Sequence, residues 1–169
     1  MPRKLENFMF IIVFMLLVFY LLLPERRNVA ILYKQKMFLY MNRKNSEVIS
    51  GRDFKFNKDV FTYGENVVLQ PGDAGIAPCS LSYESNVLLF SVKRTVGIGE
   101  NPLMIVVVND DTLAKQEIWS EEWMYVKVKA KIGKEKMKMP FVQIICERKN
   151  VNKTTQNLVL SKMYNINEH

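Results

Sequence analysis

Side chains able to do chemistry are few in this chain. There is one histidine, His169, and it is the last residue, where backbone order is poor. A Ser-His-Asp or Cys-His relay needs an imidazole within hydrogen-bond reach of its nucleophile, and a terminal histidine does not supply one. The carboxylate pairs Asp110 with Asp111 and Glu121 with Glu122 are sequence neighbours. On a strand such neighbours point to opposite faces, whereas glycoside hydrolysis needs two carboxyl groups about 5–10 Å apart across a cleft. Asp53, Asp59 and Asp73 could lend oxygens to a loop calcium, but no ligand spacing of the EF-hand kind accompanies them. Two distant cysteines, Cys79 and Cys146, cannot complete a structural zinc shell. Gly97 and Gly99 in "VGIGENP" lack the third glycine, the Gly-Lys-Ser/Thr ending and the following helix of a phosphate loop, so a hairpin turn is expected there. The sequence therefore predicts no catalytic residue, no metal site and no cofactor.

Binding chemistry is better represented. Lys127, Lys129, Lys131, Lys134, Lys136 and Lys138 recur through one short stretch, with Trp119 and Tyr125 just ahead of them. The net charge is +7; Arg3, Lys4 and Glu6 leave +1 before residue 24 and +6 after it. A cationic hairpin of this kind can hold an anionic glycan, acidic lipid headgroups or an acidic protein through attraction that salt weakens. Nucleic acid fits less well, because surface aromatics are not interleaved with the basic residues. The same lysines also serve folding, by keeping an exposed sheet face wet and resistant to strand addition. Trp119 is expected at a strand entrance with one edge of its ring wet, and Trp123 in the core.

The elements that position these groups follow from periodicity. Met124, Val126, Val128, Ala130 and Ile132 alternate with Tyr125, Lys127, Lys129 and Lys131, the rhythm of a strand with one buried face. Gly133 and Lys134 are expected to turn the chain. The return strand then places Val142, Ile144 and Cys146 on a common face, with Pro140 at its edge. Leu158 and Leu160 offer core contacts for a closing strand. Other β-branched and aromatic runs, "DFKF", "NVVLQ", "NVLLFSVKRTV" and "LMIVVVND", are separated by turn residues about 8–12 positions apart. The pattern predicts a mainly β protein, an antiparallel β-sandwich over 51–169.

The N-terminus is different. Phe8 to Leu23, "FMFIIVFMLLVFYLLL", has no charge and no glycine, close to the about 17–20 apolar residues a transmembrane helix needs. It is too apolar for a surface helix with a polar face. Small residues for signal cleavage are missing at "LLLPERR", so an uncleaved single-pass signal-anchor over 8–23 is expected, after a short basic tail at 1–7. Residues 24–50 read as a juxtamembrane connector, a helix or a first strand, whose basic residues can rest on anionic headgroups.

Topology is contested within the sequence. Arg26, Arg27, Lys34, Lys36 and Arg43 outnumber Arg3 and Lys4, which favours a cytoplasmic domain. Asn152-Lys153-Thr154 is an N-glycosylation acceptor, and a Cys79–Cys146 disulfide is conceivable alongside the alternative of two unpaired, buried thiols; both glycan and disulfide belong outside the cytosol. A long domain translocates despite flanking charge, so the C-terminal domain is expected in the lumen or outside the cell.

"APCSLSYES", "LMIVVVND", "EIWSEEWMYVKVKAKI", "PFVQIICER" and "QNLVLSKMYNI" occur in an order that resembles MAM domains and related galactose-binding-like jelly rolls. The resemblance covers roughly Glu65 to Ile166. It departs from that family where "NLVLSKM" replaces the acidic pair of the last strand, and most of the family's cysteines are missing. The resemblance implies an extracellular recognition or adhesion module without catalysis. Two other roles remain open on the sequence: a structural subunit or assembly factor of a membrane complex, and the N-terminal fragment of a type II membrane enzyme.

Overall fold

The computed structural model describes residues 11–16, 18, 24–42, 46–82, 85–131 and 140–167. The chain forms two compact units, Met1–Tyr40 and Met41–His169. In the first, residues 11–16 and 18 are helical and a second helix, α1, runs over Pro24–Asn42. Much of the expected span Phe8 to Leu23 lies outside the described residues. Among the described residues no helix is long and apolar enough to cross a membrane. The connector expected at 24–50 resolves into both of its alternatives, since α1 is followed by a strand, β1, at Ser46–Ser50. The sheet thus begins five residues before Gly51.

The second unit is an antiparallel two-sheet sandwich, as the alternation predicts. Its strands after β1 are β2 (Lys55–Phe56), β3 (Phe61–Tyr63), β4 (Asn66–Leu69), β5 (Ala74–Pro78), β6 (Asn86–Arg94), β7 (Leu103–Val108), β8 (Asp111–Glu117), β9 (Met124–Ala130), β10 (Phe141–Glu147) and β11 (Leu158–Asn167). One sheet has the order β3-β4-β11-β6-β9 with β1 also paired to β11; the other has the order β2-β5-β10-β7-β8. Phe90, Leu69, Leu88, Met104, Ile144, Leu158, Leu160 and Met163 are fully buried and form the core. Met124, Val126, Val128 and Ala130 are buried while Lys127 and Lys129 are exposed, and Val142, Ile144 and Cys146 are buried together.

Two connections differ from expectation for one reason, that a turn signal does not say whether the chain turns back or crosses over. β9 pairs with β6 in the first sheet and β10 with β5 and β7 in the second. The lysine-rich stretch is therefore a crossover between sheets and not a hairpin. Lys134, Lys136 and Lys138 lie outside the described residues. Gly97 and Gly99, at φ 143° and 147°, likewise bend a crossover from β6 to β7. Tight two-residue hairpins occur instead at β3–β4, through Gly64 and Glu65, and at β7–β8, where Asn109 and Asp110 both adopt positive φ, the geometry that matches strand twist.

The disulfide is also corrected. Cys79 and Cys146 are free and buried. Phe141 pairs with Pro78 at one end of the β5–β10 ladder, and Cys146 bonds to the backbone of Asp73 at the other. Six extended residues separate these ends by roughly 20 Å, against the about 4–7 Å a disulfide spans between Cα atoms. Burial pushes the Cys146 thiol up to about 12, and burial followed by the nearby Glu47 carboxylate pushes Cys79 upward as well. Both thiols should stay unreactive toward a polar disulfide reagent in the native protein and react fully in denaturant; colour development without denaturant would contradict this.

β1 and β4 lie end to end along the same edge of β11, which shifts register between Leu160 and Lys162 where they meet. Gly51 fills the junction. A Cβ there would stand 2.9 Å from the Leu160 carbonyl oxygen and 3.2 Å from those of Glu65 and Ser161. Backbone cannot swing aside as a side chain can, so Gly51→Ala should cost about 1–2 kcal/mol, measurable as an earlier urea midpoint.

Candidate functional site

The strands run between two ends. At one end the chain enters β1 at Ser46, beside the end of β11 and the start of β6 at Asn86. The opposite end gathers 57–60, 70–73, 95–102, 118–123 and 148–157, tied together by Thr95 N–H donating to the Asn157 carbonyl and by Arg94 and Ile118 N–H donating to the Ser120 and Pro102 carbonyls.

At this far end a polar cleft of about 290 Å³ opens beside the β3–β4 edge, close to the lower limit of about 300 Å³ for small-ligand pockets. Asp73 organises it. Its side chain is 3% exposed; Oδ1 lies 2.6 Å from Lys58 Nζ, and Oδ2 accepts from Gln70 N–H at 2.7 Å. The backbone of Asp73 is fixed in turn by Cys146, whose N–H donates to the Asp73 carbonyl at 2.9 Å. Asn57, just before Lys58, braces the same turn, accepting from Ala74 N–H at 3.0 Å and donating to the Gly72 carbonyl at 3.4 Å. Gln70, Asp59 and Asn157 also line the cleft. Asp59 and Asp73 thus meet here, while Asp53 caps a turn by accepting from Ser50 N–H. Lys58 occupies the position beside Asp73 where a cation would sit. Among the described residues no group of three or more His, Cys, Asp or Glu side chains could hold a metal ion.

Two aromatic rings stand on the same edge. Phe61 and Tyr63 alternate with Thr62 on β3, so they share a face and stand about 7 Å apart. They are 69% and 74% exposed. Phe61 pairs with Val68, and Val68 with Val159, which places both rings on the outer face of the six-stranded sheet. Sequence reading passed over this pair because a three-residue strand has too few positions for a period to emerge.

The residues picked from the sequence occupy the same outer face only in part. Tyr125 on β9 and Tyr164 on β11 meet across β6, ring centroids 6.3 Å apart at 59°. Burial raises the Tyr125 phenol, and Tyr164 adds to the shift. Lys127 and Lys129 follow on this face, and Lys131 is exposed past the strand end. Lys162 lies 2.8 Å from Glu65; its hydrogen bond and charge hold the Glu65 carboxyl below its ordinary range and the lysine above its own. Trp123 is half-buried, with Lys93 Nζ 5.0 Å above its ring. Trp119 belongs instead to the loop before β9, where its carbonyl accepts from Arg94 Nε at 3.1 Å. Asn152 is exposed in a turn that its N–H closes onto Asn150 Oδ1.

A larger open groove, about 1070 Å³, is chemically different. Ile76, Pro78, Leu81, Pro140 and Phe141 line it. The one carboxylate among its described lining residues, Glu47, is engaged internally by Ser80 N–H at 2.9 Å and Asn165 Nδ2 at 3.4 Å. Asp110 projects from the β7–β8 turn and Glu121 is ion-paired with Arg94 at 2.7 Å, so neither adjacent pair frames a cleft.

The sequence matches no protein-family model and no curated protein. Solved structures do share the fold. The CBM36-1 domain of a multidomain xylanase from the hindgut metagenome of Trinervitermes trinervoides aligns at TM-score 0.55 and 7% identity, over 74% of this chain and 99% of that one. A family 35 carbohydrate-binding module from an environmental isolate aligns at 0.51 and 11% identity, over 72% and 93%. A CBM36 module in complex with calcium and xylotriose aligns at 0.50 and 7% identity, over 70% and 98%. This likeness carries the fold, a galactose-binding-like jelly roll; nothing in it singles out MAM domains.

Proposed function

We propose that this chain is a membrane-tethered, non-catalytic glycan-binding module whose sandwich faces the secretory lumen or the cell exterior. The observation that carries the reading is the exposed pair Phe61 and Tyr63 beside the Lys58–Asp73 cleft. Pyranose rings present C–H faces that pack on aromatic rings and hydroxyl rims that need planar donors and acceptors. Gln70, Asn157 and Asp59 supply such groups at the end of the aromatic strip. Lys127 and Lys129 lie across the same sheet face and favour an anionic glycan, in line with the net positive charge.

The tether rests on the apolar run Phe8 to Leu23 and on the exposure of Ile11, Val13, Phe14, Met15 and Leu16 around a helix. The outward placement rests on the accessible sequon at Asn152, since the free thiols remove the other outward sign. A glycosidase-sensitive mobility shift that Asn152→Gln abolishes would support it; protease protection locating the C-terminus in the cytosol would refute it.

Titration of the full chain in nanodiscs with xylotriose, cellobiose and heparin-derived oligosaccharides, followed by calorimetry, tests the ligand. Saturable heat with at least one of them is the expected result, and silence from all three classes at millimolar concentration would sink the reading. A role as a subunit of a membrane assembly is the second reading. It is favoured by Ile98, 98% exposed on a crossover loop that Glu100 fixes to Thr154 and Gln156.

A further inference from the structure

We propose that one side of α1 is a lipid-contact surface that lies in the headgroup layer of an anionic bilayer. Tyr33, Met37, Tyr40 and Met41 are between 51% and 76% exposed. An α-helix turns about 100° per residue, so these four fall within one arc of about 100°. Lys34 borders the arc on one side and Lys36 on the other, both exposed, while Gln35, Phe38, Leu39 and Asn42 on the opposite side are half-buried. Large apolar bodies in the middle, phenol hydroxyls among them and lysines at both margins give this side the chemistry of an interfacial contact, though α1 taken whole is only weakly amphipathic. The lysine stems lie along the apolar layer and the ammonium groups reach the phosphates.

Charge selects lipid over a second copy of the chain. An antiparallel or parallel pairing of two such arcs would bring the lysine margins together, and like charges repel. An anionic headgroup layer satisfies both margins at once, at about 1 kcal/mol for each basic residue near the surface. Position in the chain agrees, because the exposed apolar helical residues 11–16 come shortly before α1. The inference nevertheless stands on the arc itself, whether or not Phe8 to Leu23 spans the bilayer.

The test is a nitroxide scan of the full chain in nanodiscs of phosphatidylcholine and phosphatidylserine. Single introduced cysteines at 33, 37 and 41 are compared with position 31, which is exposed outside the arc, and with position 14 as a separate reporter of the anchor. The native thiols are buried, so the introduced ones label selectively. Collision with oxygen, which concentrates in lipid, is expected to be several-fold higher at 33, 37 and 41 than at 31. The contrast should shrink in pure phosphatidylcholine and in Lys34→Gln with Lys36→Gln. Equal, water-like values at 31, 33, 37 and 41 would overturn the inference and leave a protein as the partner of this arc. Uniformly deep values would overturn it equally, by making α1 part of a span. A water-like value at 14 alone would refute the anchor and leave the inference standing. A contrast that ignores both phosphatidylserine and the lysines would overturn its anionic part.

Discussion

Asp73→Ala is expected to lower the stability of the sandwich by about 2–3 kcal/mol. Removing one member of a buried ion pair costs about 3–5 kcal/mol when the survivor stays buried. Here the survivor, Lys58, has a side chain 51% exposed and can turn into water, so the loss is smaller. Gln70 N–H adds to it by losing its acceptor, at about 1 kcal/mol. Asp73→Asn keeps an oxygen for that N–H and forfeits only the charge, so it should recover about half of the deficit. Urea denaturation of the full chain in nanodiscs, followed by tryptophan fluorescence, reads both variants. A midpoint for Asp73→Ala indistinguishable from wild type would show that the carboxylate does not organise the far end.

Phe61→Ala and Tyr63→Ala should each weaken binding of a responsive oligosaccharide roughly thirtyfold, about 2 kcal/mol. Aromatic packing contributes about 0.5–1.5 kcal/mol beyond burial, and covering several tens of Å² of ring face supplies the remainder. Because both rings are largely in water in the free protein, their loss should leave the stability read from urea denaturation within about 0.5 kcal/mol of wild type. This combination separates a ligand platform from a packing role. Truncations that left affinity intact would move the site elsewhere on the sheet. Lys127→Ala with Lys129→Ala should instead alter mainly the salt dependence of binding, as exposed charges are screened.

Legibility in the sequence tracked the length of each pattern. β9 and β10, seven residues each, repeat the two-residue alternation often enough to fix which side chains are buried, and the sandwich followed from them. The crossovers at 95–102 and between β9 and β10 were misread as hairpins because glycine records a bend and not the sheet to which the next strand belongs. Only long-range pairing, such as that of β10 with β5, decides this. The lysines were visible as a charge run, and Lys127 and Lys129 do share a face with Tyr125. The cleft was not visible, because Lys58, Asp73 and Asn157 are far apart in the chain: Lys58 meets Asp73 only when β2 pairs with β5, and Asn157 joins them only when β11 pairs with β4. The Cys79–Cys146 pairing failed for the converse reason: both lie along one ladder, but at opposite ends.

The end-to-end placement of β1 and β4 on β11 bears on mechanics. A pull between the N-terminal segment and a ligand gripped in the far cleft would act along β1, parallel to its ladder with β11. All five Cα pairs from Ser46–Ile166 to Ser50–Lys162 would then be sheared together and not peeled singly. Gly51 closes that ladder at its trailing end, where the Leu160 carbonyl leaves no room for a side chain. Under the proposed tether and ligand site, this short first strand would be the segment that carries the load.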